Sequence, residues 1–185
     1  MGRGNPRTWQ KWCKKTYNTY CGMSNDWDDP ESVLITVRDF YTTIHDCGNP
    51  NPSGYISYNA LQNKLEKRKT VTDHCNSPQF VGRMIIENWE LYKDDYPRFE
   101  KVFFDACLTI LVTAEENTQL SLQTKNDKYG FRVEVPTDKK YEHLNITLFE
   151  RVGSSRWSDA IPADIDEFPT TEGLLEYEKK YLVCL

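Results

Sequence analysis

Residues 96–122 read YPRFEKVFFDACLTILVTAEENTQLSL, and the fold class turns on how this stretch divides. Asp95 and Pro97 offer a helix start: a side chain able to cap free N–H groups, then a residue whose missing N–H costs nothing in a first turn. Phe99, Val102, Phe103, Ala106, Cys107, Ile110 and Leu111 then recur at i, i+3, i+4 and i+7. Phe104, Leu108 and Val112 add apolar character on other sides. The spacing predicts a central helix buried almost all round, with Cys107 as a small core hydrophobe. After about Glu116 the period changes to two. Leu120 and Leu122 alternate with polar residues, as do Phe131, Val133 and Val135, and then Leu144, Ile146 and Leu148. Three short strands with polar turns make an antiparallel meander.

Upstream the signals are helical. Trp9, Trp12, Cys13, Tyr17 and Tyr20 share a 3–4 residue spacing between Thr8 and Cys21, with Lys11, Lys14 and Lys15 largely off that face. Asp29-Pro30-Glu31 opens a second helix, carried by Val33, Leu34, Val37, Phe40, Tyr41 and Ile44. A third runs from Ser57 to about Lys69, where the basic end KLEKRK opposes the negative end of the helix dipole. A fourth starts at Ser77-Pro78 and buries Phe80, Val81, Met84, Ile85, Trp89 and Tyr92. Residues 153–171 read as irregular, and Thr171 to Tyr181 as a short last helix. The expected fold is α+β: about five helices in the N-terminal two thirds, packed on a C-terminal three-stranded antiparallel meander, with a short last helix. Residues 1–22 form a basic aromatic arm and 23–185 a single compact α+β domain.

Composition narrows the class. The chain has 185 residues, 38% hydrophobic and 28% charged, with a net charge of −5, a mix that supports one packed core rather than disorder. No stretch approaches the roughly 20 apolar residues that span a bilayer. The N-terminus MGRGNPRTWQKWCKK lacks the apolar core of a secretory signal. Pro6 occupies the position where a myristoylation motif needs Ser or Thr, and Cys184 does not make a prenylation box. An intracellular protein with six reduced cysteines is expected, and Asn145-Ile146-Thr147 is discounted as a glycosylation site.

Several constellations invite chemistry. Asn49-Pro50-Asn51-Pro52-Ser53-Gly54-Tyr55-Ile56 resembles the loop of an EF-hand: oxygen-bearing residues at positions one, three and five, glycine at six, isoleucine at eight. It departs where binding needs charge, since those three residues are neutral and Ala60 stands where the family has a bidentate glutamate. The resemblance implies a helix–turn–helix connection and not tight calcium binding. His45, Cys47, His74 and Cys75 could ligate zinc, but adjacent His74 and Cys75 are poorly spaced to turn toward one metal. No metal and no cofactor are expected. The same residues, with His143, give no assured thiol–imidazole pair, and there is no nucleophile elbow, phosphate loop or dinucleotide fingerprint. Asp159, Asp164, Asp166 and Glu167 read as solvated loop charge, or as a surface that meets a basic patch.

Residues 1–20 carry five basic side chains and no acid, which leaves −10 on the remainder. Basic residues interleaved with Trp and Tyr suit a phosphate-bearing partner: the charges release counterions and the rings stack on bases or sit among lipid headgroups. Arg3, Arg7, Trp9, Lys11, Trp12, Lys14 and Lys15 are therefore the candidate contact residues for nucleic acid or anionic membrane. The expectation is a non-enzymatic structural or interaction protein, of the type of a self-assembling viral matrix or nucleocapsid-associated subunit, with no small-molecule substrate. The alternatives are an intracellular regulator that binds a cellular protein and, behind it, a small enzyme without a recognisable motif.

Overall fold

The computed structural model describes residues 6–23, 27, 29–47, 51–127, 130–151, 153, 155–164 and 168–183. In chain order the elements are α1 (Pro6–Met23), α2 (Pro30–Asp46), β1 (Asn51–Ser57), α3 (Tyr58–Leu65), β2 (Val71–His74), α4 (Pro78–Glu87), α5 (Tyr96–Ala106), β3 (Leu108–Val112), α6 (Ala114–Ser121), β4 (Thr124–Asp127), β5 (Gly130–Val133), α7 (Lys140–His143), β6 (Leu148–Glu150), β7 (Ile161–Pro162) and α8 (Leu174–Glu178), with short 3₁₀ turns between some of them. Contacts gather into two compact units, each built from two separate stretches: Met1–Asn51 with Asn76–Leu108, and Pro52–Cys75 with Thr109–Leu185.

The first unit is helical. Asp29 caps α2 by accepting from the Ser32 N–H at 2.9 Å, with Pro30 at the first helical position. Asp95 caps α5 in the same way, taking the Arg98 N–H at 3.1 Å. Val37, Phe40 and Ile44 of α2 are buried with Phe80, Val81 and Ile85 of α4 and Phe99 and Phe103 of α5. Two aromatic contacts fix this core: Phe40 on Phe103 edge-on at 5.6 Å, and Trp89 on Phe99 at 6.2 Å.

The second unit holds the sheets. One has five strands in the order β2-β3-β1-β6-β7, and the other is the β4–β5 hairpin. Antiparallel pairs join Val71 to Val112 and His74 to Thr109, and Tyr55 to Glu150 and Ser57 to Leu148. Ile56, Ala60 and Leu61 form a core cluster, with Leu111, Phe149 and Trp157 packed against it.

The α+β class holds, but the arrangement differs from the sequence expectation. The expected three-stranded meander is a five-stranded sheet plus a hairpin, and eight α-helices stand among the described residues in place of about five. The helix through residues 97–112 stops at Ala106, and Leu108–Val112 is a strand. Thr109, Ile110 and Val112 are buried and rich in β-branched side chains, and burial on both faces erases the alternation that marks a strand. The expected strand through Leu120 and Leu122 is instead α6. Thr113 and Glu116 form a complete capping box there, which starts a helix. The strand through Leu144, Ile146 and Leu148 shrinks to Leu148–Glu150, and His143 lies at the end of α7, where Asn145 in the left-handed region (φ 54°) stops the helix. The segment resembling an EF-hand loop is not a helix–turn–helix connection: Asn51–Ser57 is strand β1, and Asn49 and Pro50 lie outside the described residues.

Candidate functional site

Of the candidate contact residues, Arg7, Trp9, Lys11, Trp12, Lys14 and Lys15 lie on α1. Trp9 and Tyr17 of its aromatic stripe are turned toward α5. Trp9 meets Phe104 edge-on at 5.2 Å, and Tyr17 meets Tyr96 at 5.0 Å and Phe99 at 5.3 Å. Cys13 and Tyr20 are fully enclosed, and burial pushes the Cys13 thiol up to about 12. Burial likewise raises the Tyr20 phenol, whose O–H donates to the Thr36 carbonyl at 3.4 Å. The Tyr17 hydroxyl donates to the Lys93 carbonyl at 2.6 Å. These contacts fix the rotation of α1 and leave its other face outward.

Lys11, Lys14 and Lys15 are exposed, while Trp9 and Trp12 are half-buried. The Lys14 ammonium lies 4.1 Å from the Tyr96 ring centroid, and that of Lys15 4.9 Å from Trp12. At such distances the ring quadrupole attracts the cation, and the outer side of the charge still faces solvent. Arg7 lies within α1, but its side chain is outside the described residues, as is all of Arg3.

An open groove of about 240 Å³ runs between α1 and α2. Trp12, Lys15, Thr16 and Thr19 line it from α1, and Thr36, Asp39, Phe40 and Thr43 from α2. Thr16 and Thr19 donate to carbonyls of their own helix at 3.0 Å, Thr36 at 2.8 Å, so each hydroxyl keeps acceptor capacity. The site is thus an aromatic wall, a cation, a carboxylate and a row of hydroxyls. It can hold a planar group and an anion. The α2 wall is what the sequence reading missed. Thr36, Asp39, Phe40 and Thr43 lie at i, i+3, i+4 and i+7, a one-sided mix of polar and apolar that reads as ordinary amphipathic helix until α1 is set beside it.

In the second unit the Lys140 ammonium donates to Asp73 at 2.7 Å and to the His74 carbonyl at 2.6 Å, and the Tyr141 hydroxyl donates to the same Asp73 oxygen. Burial raises the Tyr141 phenol well above its ordinary value, and burial takes the Cys75 thiol up to about 12. Every donor there is directed inward, tying α7 to β2. His45 is exposed and stacks on Tyr41 at 4.4 Å, while Cys47 is buried. Among the described residues no three His, Cys, Asp or Glu side chains are grouped so as to hold a metal ion. Asp159 and Asp164 are exposed, and Asp166 and Glu167 lie outside the described residues. No helix among those described is long and apolar enough to cross a membrane. Comparison with protein-family models, curated proteins and solved structures finds no match.

Proposed function

We propose that the protein is a non-enzymatic interaction subunit that binds single-stranded RNA along the outer face of α1 and the groove between α1 and α2. The observation that carries this is Trp12, half-buried in the groove wall beside the exposed Lys15, with Lys11 and Lys14 exposed on the same helix. A base can stack on an indole fixed in this way, while the lysines meet the phosphates that follow. An anionic membrane fits less well. A helix lying in a bilayer interface buries its apolar face in lipid, and Trp9 and Tyr17 of α1 are taken up by rings of α5. A second reading, a surface for a protein partner, draws on Tyr58 and Leu65, seven residues apart on α3 and each 49% exposed.

The test is a salt titration of binding to single-stranded RNA and to anionic vesicles. It compares the full chain with a variant carrying Lys11→Gln, Lys14→Gln and Lys15→Gln. Removing residues 1–20 would strip Cys13 and Tyr20 from the core, so the charge variant is the cleaner comparison. Three lost phosphate contacts should reduce the slope of log K against log salt by about 2, at roughly 0.7 per contact on a single strand. Equal binding by both proteins, or binding to vesicles alone, would overturn the proposal.

A further inference from the structure

We propose that Cys47 and Cys107 form a dithiol–disulfide pair that is oxidised by hydrogen peroxide. Both cysteines lie in the first unit, at the C-terminal caps of α2 and α5, and their sulfurs are 3.7 Å apart. A disulfide needs about 2.05 Å between sulfurs, so closing the bond asks for a movement of under 2 Å at two helix ends. The sixty residues between them in sequence make this a contact that only the fold creates. The pair is also enclosed: Cys47 is 3% exposed and Cys107 1%.

The two thiols are not equivalent. The Cys47 S–H points at the Ile44 carbonyl at 3.1 Å, which leaves the Cys107 S–H to donate to the Cys47 sulfur, and that bond holds Cys47 below the ordinary thiol value, against its burial. The same hydrogen bond, with burial, pushes Cys107 far up. Cys47 is therefore the attacking sulfur and Cys107 the resolving one. Cys13, also buried and held at about 12, does not compete as a nucleophile.

In the first step the Cys47 thiolate attacks one peroxide oxygen and the O–O bond breaks. Hydroxide leaves and takes up the proton that Cys47 gave to solvent, which makes one water and a sulfenic acid on Cys47. In the second step the Cys107 sulfur attacks the Cys47 sulfur. The S–S bond forms, the S–OH bond breaks, and the hydroxyl departs as water with the Cys107 proton. Two thiols and one peroxide give one disulfide and two waters, with two electrons passing to the peroxide. Both cysteines stand at helix C-termini, where the dipole disfavours a thiolate, so the reaction is slow beside that of a dedicated peroxidase thiol. Enclosure also selects the oxidant. Hydrogen peroxide is little larger than water, whereas exchange with glutathione disulfide needs a bulky sulfur to approach in line with Cys47.

The experiment uses the full chain with Cys21→Ser and Cys184→Ser, which removes an exposed thiol and one near the C-terminus. The reduced protein is exposed to hydrogen peroxide or to glutathione disulfide, then alkylated in denaturant and mapped by mass spectrometry. The expected result with peroxide is a loss of 2 Da and a linked pair of peptides holding Cys47 and Cys107, with Cys13 and Cys75 still alkylated. Glutathione disulfide should leave all four thiols alkylated. In a further Cys107→Ser variant, dimedone should trap a sulfenic acid at Cys47. Full alkylation of Cys47 and Cys107 after peroxide, or a linkage through Cys13, would overturn the proposal. The mapping needs no RNA and no other variant, so its outcome is independent of the function proposed above.

Discussion

Lys140 is buried, with its side chain 9% exposed, and its charge is tolerated because Asp73 and the His74 carbonyl both accept from it. Replacing it by Met would keep most of the volume and leave the Asp73 carboxylate with the Tyr141 hydroxyl. Breaking a buried pair from one side typically costs about 3–5 kcal/mol. Asp73 keeps 17% exposure, so water recovers part of that, and about 3 kcal/mol is expected for Lys140→Met in urea unfolding. Glu178 gives a prediction of opposite character. It accepts from the Thr137 N–H at 2.9 Å and from the Thr137 hydroxyl, yet burial outweighs both and raises its carboxyl above the ordinary value. A raised carboxyl binds its proton more tightly in the folded state, so its contribution to stability is greatest below the unfolded value near 4.5 and falls as pH rises through the folded value. Glu178→Gln removes that slope. The variant should match the wild type in acid and gain on it as pH rises across this window, read from urea midpoints at a series of pH values. A parallel pair of pH profiles would show that Glu178 does not titrate as described.

At the scale of elements, α2 and α4 approach closely because residue 82 has no side chain. A Cβ there would fall 2.9 Å from Cδ1 and 3.1 Å from Cβ of the fully buried Phe40. Gly82→Ala therefore sets a helix-propensity gain of about 1 kcal/mol against an overpacking cost of about 1–3 kcal/mol. The Phe40 ring is held edge-on by Phe103 and has little room to yield, so a net loss of about 1 kcal/mol is expected in denaturant midpoints. An increase in stability would mean that the two helices can separate at no cost. The helices of the first unit were legible in the sequence because cap, proline and 3.6-residue period agree at Asp29-Pro30 and again at Asp95. The division of residues 96–122 was less so. LTILV is apolar on both faces and offers no period to read. The TAEE start of α6 did carry a signal: Glu116 accepts from the Thr113 N–H at 2.8 Å, as the spacing of a capping box allows. It also accepts from Ser57 at 2.6 Å and Asn59 at 3.0 Å, partners nearly sixty residues away that local pattern does not reveal. The groove has the same history. The lysines and Trp12 stood out as a basic aromatic run, while Asp39 and the threonines of α2 gained meaning only from a neighbouring helix.

Across the whole molecule, chain order and spatial order part company. Each unit takes one early stretch and one late stretch, so the change of hydrophobic period near residue 117 marks no boundary between them. Strand β1 pairs with β6 some ninety residues later, Tyr55 opposite Glu150 and Ser57 opposite Leu148. Strand β2 pairs with β3, and its Asp73 takes the Lys140 ammonium. A chain ending at Glu116 would keep β1, β2 and β3 yet lose β6, β7, α7, α8 and the β4–β5 hairpin. It would expose the edge of β1, leave Asp73 without its cation, and uncover the Ile56–Leu61 cluster where Phe149 and Trp157 pack. Unpaired strand edges with an open apolar face favour association over folding. The expected outcome for residues 1–116 is loss of cooperative thermal unfolding, with material that aggregates or gives poorly dispersed amide spectra. The helical stretches would still supply far-UV helicity, so helicity alone does not decide the matter. A sharp cooperative transition, with native-like dispersion for the residues of α2, α4 and α5, would instead show that the helical unit folds without the completed sheet. In that case the groove between α1 and α2 could be assayed for RNA binding in the shorter chain.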